Sequence, residues 1–205
     1  MKLYTRTGDE GYTVMCAVNG KSRRIAKDSP LLAALGDLDE LNSCIGLCLA
    51  EATRINHINV HDALAGRQND LFTVGAMLGA MAVESRPPVR LKDQAVADVE
   101  RQIDALCQDL PKLKNFILPG GGELACRLHL ARTVCRRAER AVLRALWVMS
   151  REGLDVAGAT WGEQAPPAPA EACIRQFINR LSDLLFALAR LANRDASEAD
   201  VAWQA

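Results

Sequence analysis

The sequence predicts an all-α fold, with five long helices forming a bundle behind an irregular N-terminal segment. Three observations carry that prediction. Apolar residues recur at spacings of three and four through five long stretches, the period of a helix with one buried face. Hydrophobic residues make up 49% of the chain, yet only four Phe, three Trp and two Tyr are present, and Ala and Leu dominate, which favours helices over a β-sandwich. Prolines and glycines fall between those stretches, where they stop helices. A chain of 205 residues is expected to form one domain over 1–205, with an N-terminal segment 1–30, a bundle 31–193 and a tail 194–205 that frays.

Residues 1–30 show no helical or strand pattern. Gly8 and Gly11 flank Asp9 there, with Thr5, Thr7 and Thr13 close by. Glycine lets backbone N–H groups turn toward an anion and the hydroxyls add donors, although ordinary turn chemistry explains many such stretches. No Walker loop is present. Lys21, Arg23, Arg24 and Lys27 follow as a basic run. Asp28 or Ser29 caps the first helix and Pro30 suits its first turn. That helix runs to about Glu51, with Leu31, Leu35, Leu38, Leu41, Ile45 and Leu49 inward and Asp37, Asp39 and Glu40 in its interior. Asp39 is either an exposed acid or a partner for an arginine. A second helix is expected from about His57 to Ala82, and a third from about Lys92 to Leu110, stopped by Pro111.

Phe116 to Arg144 is the richest stretch. Pro119 and Gly120, Gly121 and Gly122 break regular structure, and a long helix follows at once. Leu124, Leu128, Ala131, Cys135, Ala138 and Val142 form its apolar stripe. Arg132, Arg136 and Glu139 form a second stripe beside it. Six arginines between 127 and 144 stand against one Glu. A solvated face with pairs worth about 0.2–0.5 kcal/mol each would explain some of them. A guanidinium that hugs the apolar face must instead be paired or bind an anion, so a phosphate-rich ligand or a buried subunit contact would satisfy it. After a Gly- and Pro-rich connection from Arg151 to Ala170, the last helix begins near Glu171. Asn179, Asp183, Phe186 and Arg190 share one side of it, where Phe186 reads as core or as a ligand wall.

Formal net charge is zero, so no whole-chain field draws nucleic acid. The seven cysteines include no C-x-x-C pair and read as buried thiols of a reducing compartment. His57 and His61 are four apart, but no further ligand accompanies them, so no metal site is expected there. With neither a secretory leader nor a membrane-spanning run in the sequence, the expected location is the cytoplasm, away from any membrane.

Four separated stretches, TRTGDEGYT, KDS with ALGDLDELNSCIG, FILPGGG with LHLARTVCRRAER, and FINRLSDLLFALAR, occur in the order found in one family. The sequence resembles the ATP:cob(I)alamin adenosyltransferases of the propanediol-utilisation type over roughly residues 2–193. The resemblance implies a five-helix bundle whose N-terminal segment binds nucleotide. It implies a homotrimer with active sites between subunits, supplied by a cob(II)alamin reductase and serving an adenosylcobalamin-dependent acceptor enzyme. The reaction it implies moves the 5′-deoxyadenosyl group of ATP onto cobalt, giving adenosylcobalamin and triphosphate.

Carried over by motif, the ATP contacts are Thr5, Arg6, Thr7, Gly8, Thr13, Val14, Lys27, Arg136, Arg137, Glu139, Arg140 and Asn179. Asp39 matches an aspartate that pairs across the subunit boundary with Arg132, and these two are counted with Arg136 and Phe116 as catalytic. Phe116 matches the aromatic that displaces the lower axial ligand of the corrinoid, and Phe186 a corrin-facing aromatic with Asp183 beside it. The sequence departs from the family in Asp37, where a small residue is usual, and in its long 151–170 connection.

That chemistry suits the residues. The leaving group is a polyanion, and guanidiniums with Lys27 and glycine-turn donors match it. Magnesium bridging phosphate oxygens needs few protein ligands, so Glu139 either holds the ion or orients Arg136. No protein nucleophile is needed, because Co(I) attacks the ribose carbon itself. A non-catalytic adenosylcobalamin carrier of the same fold is the alternative.

Overall fold

The computed structural model describes residues 4, 6–16, 19–150 and 169–204. Thr5 and the connection 151–168 lie outside the described residues. Six helices are present among those described: α1 (Pro30–Arg54), α2 (Ile58–Leu64), α3 (Arg67–Ala82), α4 (Ala95–Asp109), α5 (Glu123–Met149) and α6 (Pro169–Asp195). Five are long and α2 is a two-turn piece. A hairpin of β1 (Tyr12–Cys16) and β2 (Ser22–Ala26) precedes them.

The helices start and stop for local reasons. The Ser29 hydroxyl accepts a hydrogen bond from the Leu32 N–H at 3.3 Å, and Pro30 takes the first position of α1, whose missing N–H costs nothing there. The expected second helix is two. Gly66 adopts φ +84°, a left-handed backbone that breaks the ladder between Leu64 and Arg67. The apolar stripe continues across the break from Leu64 to Leu71, so its period conceals the kink.

Helix α5 packs between α1 and α6, while α2 and α3 cover the outer face of α1 and α4 covers α6. The core is a continuous cluster, with Leu41, Ile45, Leu128, Phe177, Leu181 and Leu184 fully buried. Burying a side chain such as Phe177 contributes about 1.5–3 kcal/mol. A reciprocal pair of bonds ties α1 to α3: Asn42 Nδ2 donates to the Gln68 carbonyl and Gln68 Nε2 to the Asn42 carbonyl, each at 3.2 Å. No helix among the described residues is long and apolar enough to cross a membrane.

Two further sequence expectations are corrected. The N-terminal segment holds a regular antiparallel hairpin, with Tyr12 opposite Ala26 and Cys16 opposite Ser22. Its strands are only five residues long, and Arg23 and Arg24 interrupt the apolar alternation. The tail is docked rather than frayed. Leu118 N–H donates to the Val201 carbonyl at 2.8 Å and Trp203 N–H to the Phe116 carbonyl at 2.7 Å, so residues 201–203 run antiparallel to 116–118.

Candidate active site

The N-terminal candidates gather at the hairpin base. Lys27 Nζ donates to the Gly8 carbonyl at 2.8 Å, and its backbone N–H donates to the Gly11 carbonyl at 2.8 Å. Gly8 sits tightly against this lysine, since a Cβ there would lie 2.9 Å from Nζ. Arg6 is exposed with φ 62°, its guanidinium 5.5 Å from the Tyr4 ring centroid. Thr13 pairs with Ile25 across the hairpin, and Val14 faces solvent.

A second group forms where α5 faces α6. Glu139 is its hinge. One carboxylate oxygen accepts from Asn179 Nδ2 at 2.9 Å, and the other lies 2.5 Å from Arg136. Arg140 donates to the Arg136 carbonyl at 2.9 Å. Asn179 is itself steadied by Arg180, which also reaches Glu100 of α4 at 2.8 Å. Arg136 is therefore half exposed but aimed, held by a carboxylate that a second helix fixes.

One to two turns further along α6 the surface becomes aromatic. Phe186 is half-buried, with the Arg132 guanidinium 5.9 Å from its ring centroid and the His129 ring 6.0 Å away. Arg132 Nε is buried and has no hydrogen-bond partner. Asp183 is exposed between Asn179 and Phe186 on the same stripe. Phe116 projects from the segment before α5 and is 82% exposed, the most exposed large apolar side chain described.

Two candidates are placed differently from the rest. Arg137 turns to α1, where it meets Asp37 at 3.2 Å and also pairs with Glu40. Of the three acids Asp37, Asp39 and Glu40 on α1, the two that engage an arginine of α5 within the chain are thus Asp37 and Glu40. Asp39 is exposed on α1 and makes no ion pair with Arg132 of its own chain. Among the described residues, no group of three His, Cys, Asp or Glu could hold a metal ion. Of the two histidines set aside earlier, His57 caps α2 and lies 3.4 Å from Asp195.

With this geometry in view, comparison with known proteins decides the family. The sequence profile of the cobalamin adenosyltransferase family matches residues 3–192. The chain belongs to the cobalamin adenosyltransferase family. Its activity is ATP-dependent adenosyl transfer to a corrinoid. It is 39% identical to the corrinoid adenosyltransferase of Mycobacterium tuberculosis, with 99% of this chain and 93% of that one aligned. It is 38% identical to that of Bacillus subtilis, covering 100% and 93%. A variant of the PduO-type ATP:corrinoid adenosyltransferase of Lactobacillus reuteri, solved with cobalamin and ATP, superposes with a TM-score of 0.76 at 33% identity, covering 99% of this chain and 97% of that one.

His129 was missed because it lies one turn before Arg132, off the α5 apolar stripe, so the apolar period does not mark it as buried. It is 3% exposed, and neither ring nitrogen has a hydrogen-bond partner. Burial holds its pKa below the ordinary 6.5, the Arg132 charge pushes the same way, and Asp200 opposes both. The fold therefore holds the neutral ring, and the folded pKa lies below the unfolded one. This contribution to stability is complete above pH 6.5 and is lost as pH falls toward the folded value. Thermal midpoints measured across this range should fall more steeply for the wild type than for His129→Gln, which cannot charge. Parallel curves would show that protonation of His129 is not linked to folding.

Proposed function

We infer that this enzyme transfers the 5′-deoxyadenosyl group of ATP to the cobalt of cob(I)alamin and releases triphosphate. The observation that carries this reading is the bridge from Arg136 through Glu139 to Asn179, set on one ridge with Arg132 and Phe186. Asn179 and Phe186 are seven residues apart on α6, about 10 Å at 1.5 Å per residue. A polyanion-binding end and an apolar wall are thus separated by roughly the reach of a nucleoside. Arg136 and Arg140 carry the phosphates, while Lys27, Gly8, Arg6, Thr7, Thr13 and the backbone at Val14 complete the nucleotide site with Thr5. Arg137 reaches phosphate only by giving up Asp37 and Glu40.

The protein supplies position, charge and solvent exclusion, and the corrinoid supplies the nucleophile. Phe116 and Phe186 pack on the corrin with Asp183 at the rim. Phe116 excludes the lower axial ligand, which makes Co(II) easier to reduce. Magnesium belongs to the phosphates in this reading. Glu139 already serves Arg136 and Asn179, so its role is to orient the guanidinium, and the ion adds charge neutralisation when bound.

The working form is a homotrimer with shared sites. The two ATP-facing groups are held by separate interactions in one chain. The hairpin base lies near Ala145 and Met149 at the end of α5, and Ala145 is nine residues, about 13 Å, from Arg136. A second copy brings a hairpin to each Arg136 and an Asp39 to each Arg132. Half-exposed Leu47 and Leu130 supply apolar surface for such a contact. The setting is the cytoplasm, where the described cysteines are all free, with a reductase upstream and an adenosylcobalamin-dependent enzyme downstream.

The test is visible absorbance after mixing ATP, magnesium and chemically reduced cob(I)alamin without oxygen. An adenosylcobalamin spectrum that depends on ATP establishes the reaction. A spectral shift of bound corrinoid without conversion would replace it with the carrier reading.

A further inference from the structure

We propose that the largely buried Arg190–Asp200 ion pair, Asn193 and the docked tail form one clamp that positions Phe116, so that the C-terminal segment is part of the corrinoid-side machinery. This rests on the reading of Phe116 given above.

Phe116 has to be held by its backbone, because its side chain is 82% exposed and packs on little. That backbone has few other supports. Three glycines follow it, and its segment spans a cleft of about 410 Å³ lined by Leu113, Ile117, Arg190, Asp200 and Ala202. What fixes it comes from α6 and the tail. On one side the Phe116 carbonyl and the Leu118 N–H bond to Trp203 and Val201. On the other, Asn193 grips the glycine turn, with Oδ1 accepting from the Gly122 N–H at 3.1 Å and Nδ2 donating to the Gly120 carbonyl at 3.0 Å. Between those two, Gly121 sits at φ +108°, and a Cβ there would collide with the Asn193 amide.

The tail is tied to the same network. Arg190 Nε donates to Asp200 at 2.8 Å, and its other arm donates to the Pro111 carbonyl at 2.6 Å. Asn193 Nδ2 also approaches Asp200 at 3.5 Å, and Glu198 N–H bonds the Asn193 carbonyl at 2.9 Å. Arg190 is 8% exposed and Asn193 2%, so each loses water on folding and depends on these partners. Both ends of the 111–122 connection are thereby referenced to α6. Arg190, Asn193 and Asp200 are positioning residues acting through Phe116.

The oxidation state of the corrinoid separates this role from a merely structural one. Co(I) carries no lower axial ligand, so a displaced Phe116 matters little once Co(I) is supplied. Co(II) retains that ligand until Phe116 excludes it. Turnover is measured with pre-reduced cob(I)alamin and, in parallel, with cob(II)alamin plus a one-electron chemical reductant. Asp200→Asn keeps the shape but removes the negative charge that faces Arg190. Trp203→Pro removes the N–H that holds the Phe116 carbonyl, together with a half-exposed indole, without touching the Arg190–Asp200 pair, and so guards against a folding failure in the first variant.

Both variants should lose about tenfold or more in the cob(II)alamin arm, the scale expected from a small misplacement. Each should stay within about twofold with cob(I)alamin, with the KM for ATP unchanged. Asp200→Glu should restore much of the loss. Equal losses in both arms, or no loss in either, would overturn the clamp. Phe116→Ala in the same assays separates the two readings. If it shows the split and the clamp variants do not, the clamp alone fails. If it shows no split, the reading of Phe116 fails and the clamp falls with it.

Discussion

Arg136→Ala is expected to cut turnover by roughly 10²–10³ while leaving the fold intact. The two halves of that expectation have different physical origins. The Arg136 side chain is 46% exposed, and the more buried Glu139, at 13%, keeps its bond from Asn179 when Arg136 is removed, so the cost to stability should stay near the roughly 1 kcal/mol of a partly exposed pair. On the proposed reading its catalytic worth is larger, because triphosphate gathers charge as the bond to the ribose carbon breaks. A guanidinium already aimed by Glu139 and Asn179 meets that charge without reorganising. Loss of one such preorganised donor costs roughly 10²–10³ in kcat. Arg136→Lys keeps the charge but not the planar fork, and should recover only part of the rate.

The partner substitution tests the role of Glu139. In Glu139→Gln the one amide oxygen can accept from Arg136 or from Asn179 but not from both, so Arg136 keeps its charge and loses part of its aim; turnover should fall less than in Arg136→Ala and its dependence on magnesium concentration should not move. A shift of that dependence to higher magnesium would give Glu139 to the ion instead. Wild-type turnover in Arg136→Ala would remove α5 from the phosphate site altogether.

The parts of this site that could be read from sequence are those encoded by a single helical period. Arg132, Arg136 and Glu139 repeat at four and three on α5, and Asn179, Asp183 and Phe186 do the same on α6, so each stripe was visible by itself. That the stripes face one another, joined at Glu139 and Asn179, depends on how α5 packs on α6. Arg137 shows the same limit. Its position beside Arg136 puts it in the cluster by proximity, yet one residue is about 100° of rotation, and packing against α1 delivers it to Asp37 and Glu40. The hairpin and the docked tail were illegible for a related reason. Both are held by backbone bonds between segments whose side-chain patterns are weak, and the tail depends on Arg190 and Asp200, ten residues apart around a turn at Ser197 with φ 58°.

Phe116→Ala carries the other large expected effect, and its interest lies in how little else it should disturb. An exposed side chain contributes little to the core, so the thermal midpoint should stay close to that of the wild type, with a change within about 0.5 kcal/mol. ATP binding should also be unchanged, since Phe116 lies apart from the Glu139 group, on the segment that precedes α5. Turnover from cob(II)alamin with reductant should nevertheless fall by roughly 10² or more, the scale of losing a positioned group at the reacting centre. The reason is a competition for one coordination site. On the proposed reading, with the ring in place neither water nor the dimethylbenzimidazole base approaches the lower face of cobalt, and the electron enters an orbital that no axial donor raises. Without it, the donor returns and reduction becomes the slow step. Phe116→Leu keeps apolar bulk and should retain more activity than Phe116→Ala, whereas Phe116→His presents a new donor to the same site and should be poor despite its ring. If Phe116→Leu and Phe116→His were equally impaired, shape alone would govern the position and ligand exclusion would not.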